Sequence, residues 1–588
     1  DKNYKIYVKH LNGSSWVSDV PPGVSLNNNQ NDEAGRPALI GGNNTLWLSW
    51  TEGAPGQKSK IHAKSLTPTI PSMAGIWSAD EEVPKAYPTS GAPDTPGLAL
   101  VSNIPHVIWA EKDFDSFTKD VFVKAQQVGP TEGPAHRPLY GVNGNPVPTP
   151  ENMWTKMNPG GIADPVGIGV GDDGESNFRY IPELKKVFSW GKYHTLGDYS
   201  NTESQNAYLA YDFPKNRWDL FETTEAPGSE FLPGTGHDEG NNTVDARNPL
   251  APLIINQGNI SGNYNANFRT HIYDVMAGRG KRVVPALEPR AGSGQSAFST
   301  FLGKMFSLRL GGGWLFDMAT NNWTKVGGDL PGKENSGVVY DTSINKFVIF
   351  GGAREGVTND LYTFDGATRE IRNPLGKPPP VVHPFFAYSP DHQATLLVGG
   401  VTCNISYSSP QVWVYKATDG PDGKWTRLRD LPTGVRTRPG NYLTYDTDNS
   451  IFLAWFRKDG SGARPSNIHA FKYNPATAPL GPTFSYSSIC HDFETVPIDQ
   501  SAAQDFIITN FGTIPKTINL SVPSEQPFNI DTPTCTIPAG GSCTVRATFL
   551  PTINGTKESA ITVQSESDTD KITLRGIGIL PVSGPMLL

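Results

Sequence analysis

Charge is scarce in this 588-residue chain: Asp, Glu, Lys and Arg make up only 18% of it, and cysteine occurs four times. The formal charge is −8, and no block of Lys and Arg forms a local basic patch, which excludes the electrostatic footprint of a nucleic-acid partner. No run approaches the roughly 20 apolar residues that carry a helix across a bilayer, so no transmembrane segment is expected. The apolar end "GIGILPVSGPMLL" (576–588) is too short for an anchor and reads as a last strand followed by a tail over 581–588. Amphipathic helical periodicity is missing too. What is abundant is punctuation: 61 glycines and 51 prolines break the chain into short apolar runs. Runs of that kind, bounded by Gly, Pro, Asn and Asp, specify an all-β protein. At this length the chain exceeds one ordinary core, so several domains or one large repeat ring are expected. It begins at Asp1 without Met, which suggests a processed or trimmed start.

Two of the four cysteines, Cys535 and Cys543, flank a Pro-Ala-Gly-Gly turn in "CTIPAGGSC". The spacing suits a disulfide that ties a hairpin, the alternative being two buried thiols. A loop this small contributes on the order of 2–3 kcal/mol in the chain-entropy picture. Such a bridge implies an oxidising compartment. Asn-x-Ser/Thr sequons at Asn12, Asn43, Asn241, Asn259, Asn322, Asn404, Asn519 and Asn554 fit the same setting, although an Asn-rich chain produces many by chance. The expected location is secreted or at the cell surface. Cys403 and Cys490 are candidates for a second bridge at a domain junction.

One pattern recurs through the middle of the chain. "FVIFGGAREGVTNDLYTFD" (347–365) runs an apolar strand into paired glycines, a polar loop and a second strand ending in Phe-Asp. "KMFSLRLGGGWLFDMATNNWTKV" (304–326) and "ATLLVGGVTCNISYSSPQVWVYKATDGPDGKWTRL" (394–428) repeat it. Gly311 to Gly351 is 40 positions and Gly351 to Gly399 is 48, a period that suits four short strands per propeller blade. Paired glycines permit a positive φ where inner strands crowd an axis. A Tyr before each leading strand, and the late Trp218, Trp323 and Trp425, can pack between neighbouring blades; Ile371 replaces the tryptophan in one copy. These residues resemble kelch repeats, the propeller of the galactose oxidase central domain. The first third repeats differently: "LWLSWTE…KIHAKSL" (46–66) and "HVIWAEK…DVFVKAQ" (106–126) share Trp-x-Glu and a following alternating strand, with Trp50 and Trp109 separated by 59 positions. The expectation is one seven- or eight-bladed β-propeller over 1–480. Trp-x-Glu units fill 1–156 and kelch-like blades fill 172–475. The opening residues 3–16 read as half a unit, and the last blade (451–474) would sit beside the N-terminal units to close the ring.

After Pro475 the pattern changes. "QDFIITNFGTIP", "PFNIDTPTCTIPAGGSCTVRATFLPT", "GTKESAITVQS" and "KITLRGIG" are alternating strands with short turns. Residues 490–580 resemble the hydin-like (choice-of-anchor D type) immunoglobulin-like domain. That resemblance implies a β-sandwich acting as spacer or docking module, and it brings no catalytic residues.

In propeller topology, loops between second and third strands share a face with loops between blades. The longest candidates, 193–206, 222–242, 257–269, 401–410 and 457–467, are of these two kinds and rich in Asn, Tyr, Ser, His and Arg. Such side chains hydrogen-bond and stack adaptably. The candidate contacts are Tyr193, His194, Tyr199, His237, Tyr264, Arg354, Tyr407, Arg457 and Arg464, against the plain reading that surface loops are polar anyway. "GHDEG" (236–240) offers an acid/base pair, but adjacent residues of an extended loop diverge. "GVGDDGES" (169–176) is acidic and Gly-rich, yet it lacks the spacing that gathers oxygens around calcium, the one cofactor left open. Glu52 and Glu111 follow the repeat tryptophans and read as repetition by architecture. Galactose oxidase's Tyr-Cys crosslink and paired His ligands have no counterpart here, and no sialidase Ser-x-Asp-x-Gly-x-x-Trp box occurs. The leading expectation is a non-enzymatic extracellular binding and scaffold protein for a glycan or protein partner. The alternatives are a carbohydrate-active oxidase or lyase with His194 or His237 as base, and a subunit of a surface filament self-assembling through its C-terminal domain.

Overall fold

The computed structural model describes the backbone of strands through residues 9–137, and side chains for residues 147–157 and the greater part of 177–580. No α-helix occurs among the described residues, and the chain separates into two compact units, Asp1–Thr131 and Glu132–Leu588.

In the first unit the two Trp-x-Glu stretches occupy the same place in two antiparallel sheets. Trp50 lies on the second strand of one (Thr45–Gly53) and Trp109 on the second strand of the other (Ile104–Lys112), each paired to the alternating strand that follows. Glu52 stands opposite Lys60 and Glu111 opposite Asp120, one glutamate in each sheet.

Among the described residues the second unit holds six sheets, each built on an antiparallel meander, then a sandwich. Their first strands, nearest the centre, are Asn177–Ile181, Asn242–Asp245, Gln295–Ser299, Gly337–Asp341, Phe385–Ser389 and Leu443–Asp446, in sheets one to six. Each packs against the next, and the sixth packs against the first. Among the described residues these contacts form a cycle of six sheets, within residues 147–480. The expectation of a ring running on into the N-terminal units differs from this. The sixth sheet takes its outermost strand from Trp154–Lys156, paired to Ser466–Phe471, and not from residues 3–16. An outer strand borrowed from the other end of the segment removes an exposed sheet edge.

The repeated residues hold the seams. Trp218 of sheet one lies 5.2 Å from Trp455 of sheet six, Trp323 of sheet three donates its indole N–H to Thr270 Oγ1 of sheet two at 2.7 Å, and Trp425 of sheet five lies 5.1 Å from Phe350 of sheet four. Ile371, lacking the indole, is exposed. The tyrosines reach the turn of the preceding sheet: Tyr388 Oη accepts from the Ser343 N–H at 3.2 Å, and Tyr445 Oη donates to Asp391 at 2.6 Å. Gly351 and Gly399 have φ of +72° and +58°. A Cβ at Gly351 would stand 2.6 Å from the Val381 carbonyl oxygen, so the turn admits only glycine.

The sandwich packs the sheet holding Ala502–Asn510 and Ser542–Phe549 against the sheet holding Gly555–Ser565 and Asp568–Ile579. Alternation is strict: Val545, Ala547 and Phe549 point inward to meet Ile561, Ile572 and Leu574. Both disulfides are formed, Cys403–Cys490 and Cys535–Cys543. The second does not tie a paired hairpin. Cys535 and Cys543 lie on strands of opposite sheets, so the bridge staples the two layers across their turn.

Candidate functional site

Strand order fixes which loops share an end. In each sheet of the cycle the second-to-third loop emerges at the end where the chain passes on to the next sheet. The described strands flank such loops at 191–206, 260–267, 351–360 and 459–465, and the chain passes from sheet one to sheet two through 223–241. Tyr193, His194, Tyr199, His237, Tyr264, Arg354 and Arg464 lie outside the described residues, as do "GHDEG" and "GVGDDGES". Tyr407 and Arg457 are described as backbone only: Tyr407 pairs with Thr402 in a small hairpin, and Arg457 pairs with Arg436 and Ser466. Among the described residues, no group of three or more His, Cys, Asp or Glu could hold a metal ion.

The same end carries a feature that sequence reasoning gave only as one disulfide. The hairpin Val401–Thr402 with Tyr407–Ser408 lies in the second-to-third connection of sheet five. Just beyond Thr402, Cys403 adopts φ +41° and is bridged to Cys490, the first residue of a sandwich strand, 87 positions away. Nearby, sheet five ends in Arg427, 1% exposed at the side chain. Its guanidinium donates through Nη1 and Nη2 to the two oxygens of Asp570 in the sandwich, both at 2.7 Å, and through Nη2 to Asp430 at 3.0 Å. Tyr486 Oη donates to the same Asp570 at 2.5 Å. Trp413 faces Phe511 of the sandwich at 5.6 Å, and Gly376 packs against the ring of Phe511 so closely that a Cβ would fall 2.4 Å from it.

The electrostatics follow from burial and pairing. Burial works against the Arg427 cation, but the hydrogen bonds and charge of Asp570 more than offset it and hold the guanidinium charged. Burial pushes the Tyr486 hydroxyl well up, and the Asp570 charge adds to it, so the phenol stays a donor. Burial also raises Asp430, with Arg427 pulling the other way. A buried pair of this kind adds little net stability over an apolar substitute, yet removing one partner strands a charge at a cost of about 3–5 kcal/mol. The junction is tied by a disulfide, a buried ion pair and an aromatic contact.

Beside it lies a cleft of about 230 Å³ lined by Trp154, Arg429, Asp430, Phe471 and Pro479 among others. Trp154 stacks on Phe471 at 4.8 Å, so one face of the indole is already used.

Arg427 and Asp570 were missed in the sequence because they are separated by 143 positions and neither belongs to a motif. One signal was present. Trp425 and Arg427 share a face of the strand Lys424–Arg427, so period two buries the arginine wherever it buries the tryptophan.

Residues 482–577 match the family model of the HYDIN/CFA65/VesB-like Ig-like domain, which establishes the class of the C-terminal sandwich. No curated protein matches the chain. Among solved structures, the GH74 xyloglucanase from Xanthomonas campestris is similar at 11% identity, covering 78% of this chain and 68% of its own, with a TM-score of 0.30. The ASH / PapD-like domain of human CEP192 covers 18% of this chain and 92% of its own at 17% identity and a TM-score of 0.17. The Vibrio cholerae VesB protease covers 29% and 49% at 13% identity and a TM-score of 0.14.

Proposed function

We propose that the chain is an extracellular recognition scaffold without catalytic activity, whose six sheets form a six-bladed, kelch-like propeller. The loop end of that propeller contacts a glycan or protein partner, through Tyr193, His194, Tyr199, His237, Tyr264, Arg354, Tyr407, Arg457 and Arg464. The observation that carries the reading is the junction. Cys403 and Arg427 anchor the immunoglobulin-like sandwich at the same end as the second-to-third loops. The sandwich is then one fixed wall of the recognition end, not a loose spacer. Two disulfides and a sandwich of this family fit an extracellular location.

The experiment is a glycan array together with capture from an extracellular protein panel, using the whole chain and a Tyr193→Ala/Tyr264→Ala variant. Saturable binding lost in the variant, with no turnover of a polysaccharide panel, supports the reading. Turnover that depends on His194 or His237 would replace it with the enzyme reading.

A further inference from the structure

The innermost strands share a register. One position before the aromatic near the strand's end stand Ala297, Val339, Ala387 and Thr444, preceding Phe298, Tyr340, Tyr388 and Tyr445, and all four are buried. This position looks toward the following sheet: Val339 packs with Phe386 and Leu397 of sheet five, and Thr444 Oγ1 accepts the Tyr180 N–H of sheet one at 2.9 Å. Sheet one breaks the rule. Before Tyr180 comes Arg179, a long cation where those four strands carry Ala, Val or Thr.

Among the described residues Arg179 has no counter-charge. Its one hydrogen bond among the described residues runs from Nη1 to the carbonyl oxygen of its neighbour Phe178 at 3.2 Å, and it makes no ion pair there. A guanidinium carries five N–H donors, so most of its capacity is unspent. On the facing first strand of sheet two, Asp245 is occupied: Arg247 bonds its two oxygens through Nε and Nη2, each at 2.8 Å. Burial alone pulls Arg179 down to about 10, which leaves it charged at neutral pH. A half-buried guanidinium with most of its donors unspent, and with no ion pair among the described residues, is placed to take its negative charge from a solute. The side chain keeps partial exposure, so a solute can reach it.

We propose that the inner end of the seam between sheets one and two is an anion site, in which the Arg179 guanidinium takes a carboxylate or sulfate-type oxyanion. The planar fork matches such groups with two parallel charge-assisted bonds. The oxyanion is either free in solution or carried on an acidic sugar, and the inference rests on the cycle of sheets being a closed ring.

The test is the melting temperature of the whole chain in sodium sulfate, sodium acetate or sodium glucuronate, against sodium chloride at equal ionic strength. Wild type is compared with Arg179→Leu and Arg179→Lys. A saturable rise is expected in wild type, absent in Arg179→Leu, with the half-saturating concentration at least about tenfold higher in Arg179→Lys, which keeps the charge but loses the fork. A response to sulfate and acetate alone assigns a free oxyanion, and a stronger response to glucuronate assigns a sugar-borne one. No saturable rise in any salt, or an equal rise in Arg179→Leu, overturns the site. If Arg179→Leu does not fold, Arg179→Gln takes its place. Tyr180→Phe serves as the control for the ring: if it destabilises the chain while no salt acts, the anion site fails and the ring stands.

Discussion

Tyr180 Oη lies 2.5 Å from Asp448 Oδ2, across 268 positions of sequence. The bond joins the first strand of sheet one to the first turn of sheet six, so it sits where the cycle closes. Burial and the neighbouring Asp448 and Asp446 raise the tyrosine, which keeps the hydroxyl a donor. A hydrogen bond to a charged acceptor contributes about 1.5–3 kcal/mol where it is buried, and this one is partly exposed. Tyr180→Phe should therefore cost about 1–2 kcal/mol, read as a lower denaturant midpoint. A loss equal to that of an exposed Tyr→Phe control would mean that the closure does not depend on it.

That closure shows where sequence reasoning reached and where it stopped. Trp323 and Trp425, and the glycines at 351 and 399, announced strands, turns and seams because each of those needs is local: a period, a positive φ, an indole at a strand end. The count of sheets was not local. Residues 451–474 could be placed beside any unit with a similar pattern; the contacts of Tyr180 with Thr444 and Asp448 place this sheet beside sheet one, and the three-residue strand Trp154–Lys156 completes its outer edge. Of the candidate site, the loops were legible as long polar stretches. The junction was not, since an arginine in "KWTRL" and an aspartate in "SDTDKITL" say nothing of each other until the sandwich is docked.

The docked sandwich gives the second prediction. Arg427→Met leaves the buried Asp570 carboxylate without its cation and should cost about 3–5 kcal/mol, whereas Asp570→Leu leaves Arg427 still paired with Asp430 and should cost less. The double variant removes the buried pair, leaving the partly exposed Asp430 and the Tyr486 hydroxyl without these partners, and should lose less than the sum of the two single variants, a positive coupling in a double-mutant cycle of denaturant midpoints. Additive losses would show that the pair is not shielded from water as its 1% exposure on the arginine side indicates.

Cys403–Cys490 acts on a different state of the chain. It closes a loop of sequence separation 87, which in the chain-entropy model stabilises the fold by about 4–5 kcal/mol, mainly by restricting the unfolded ensemble. The Cys403→Ser/Cys490→Ser variant should melt lower, yet keep its sandwich docked, because Arg427 and Phe511 still hold the contact. Limited proteolysis of the 472–484 connection separates these effects. Rapid cutting of the variant under conditions where it is folded would show that the bridge alone holds the sandwich.

His383 is held where its charged form is disfavoured. It leads into the first strand of sheet five with φ +51°, and its N–H donates to the Asn335 carbonyl of sheet four at 2.8 Å. Burial pulls the imidazole down to about 4 from an ordinary value of 6.5, so the folded chain holds it neutral. With the folded value depressed, the unfolded chain binds the extra proton first. The neutral side chain's contribution is complete above about pH 6.5 and drains away as the pH falls toward 4, by about 3 kcal/mol in total. His383→Asn suits the same left-handed backbone and does not titrate. Its stability should stay flat across that window, apart from the carboxylates common to both proteins. Parallel pH profiles for the two chains between pH 6.5 and 4 would place the acid sensitivity elsewhere.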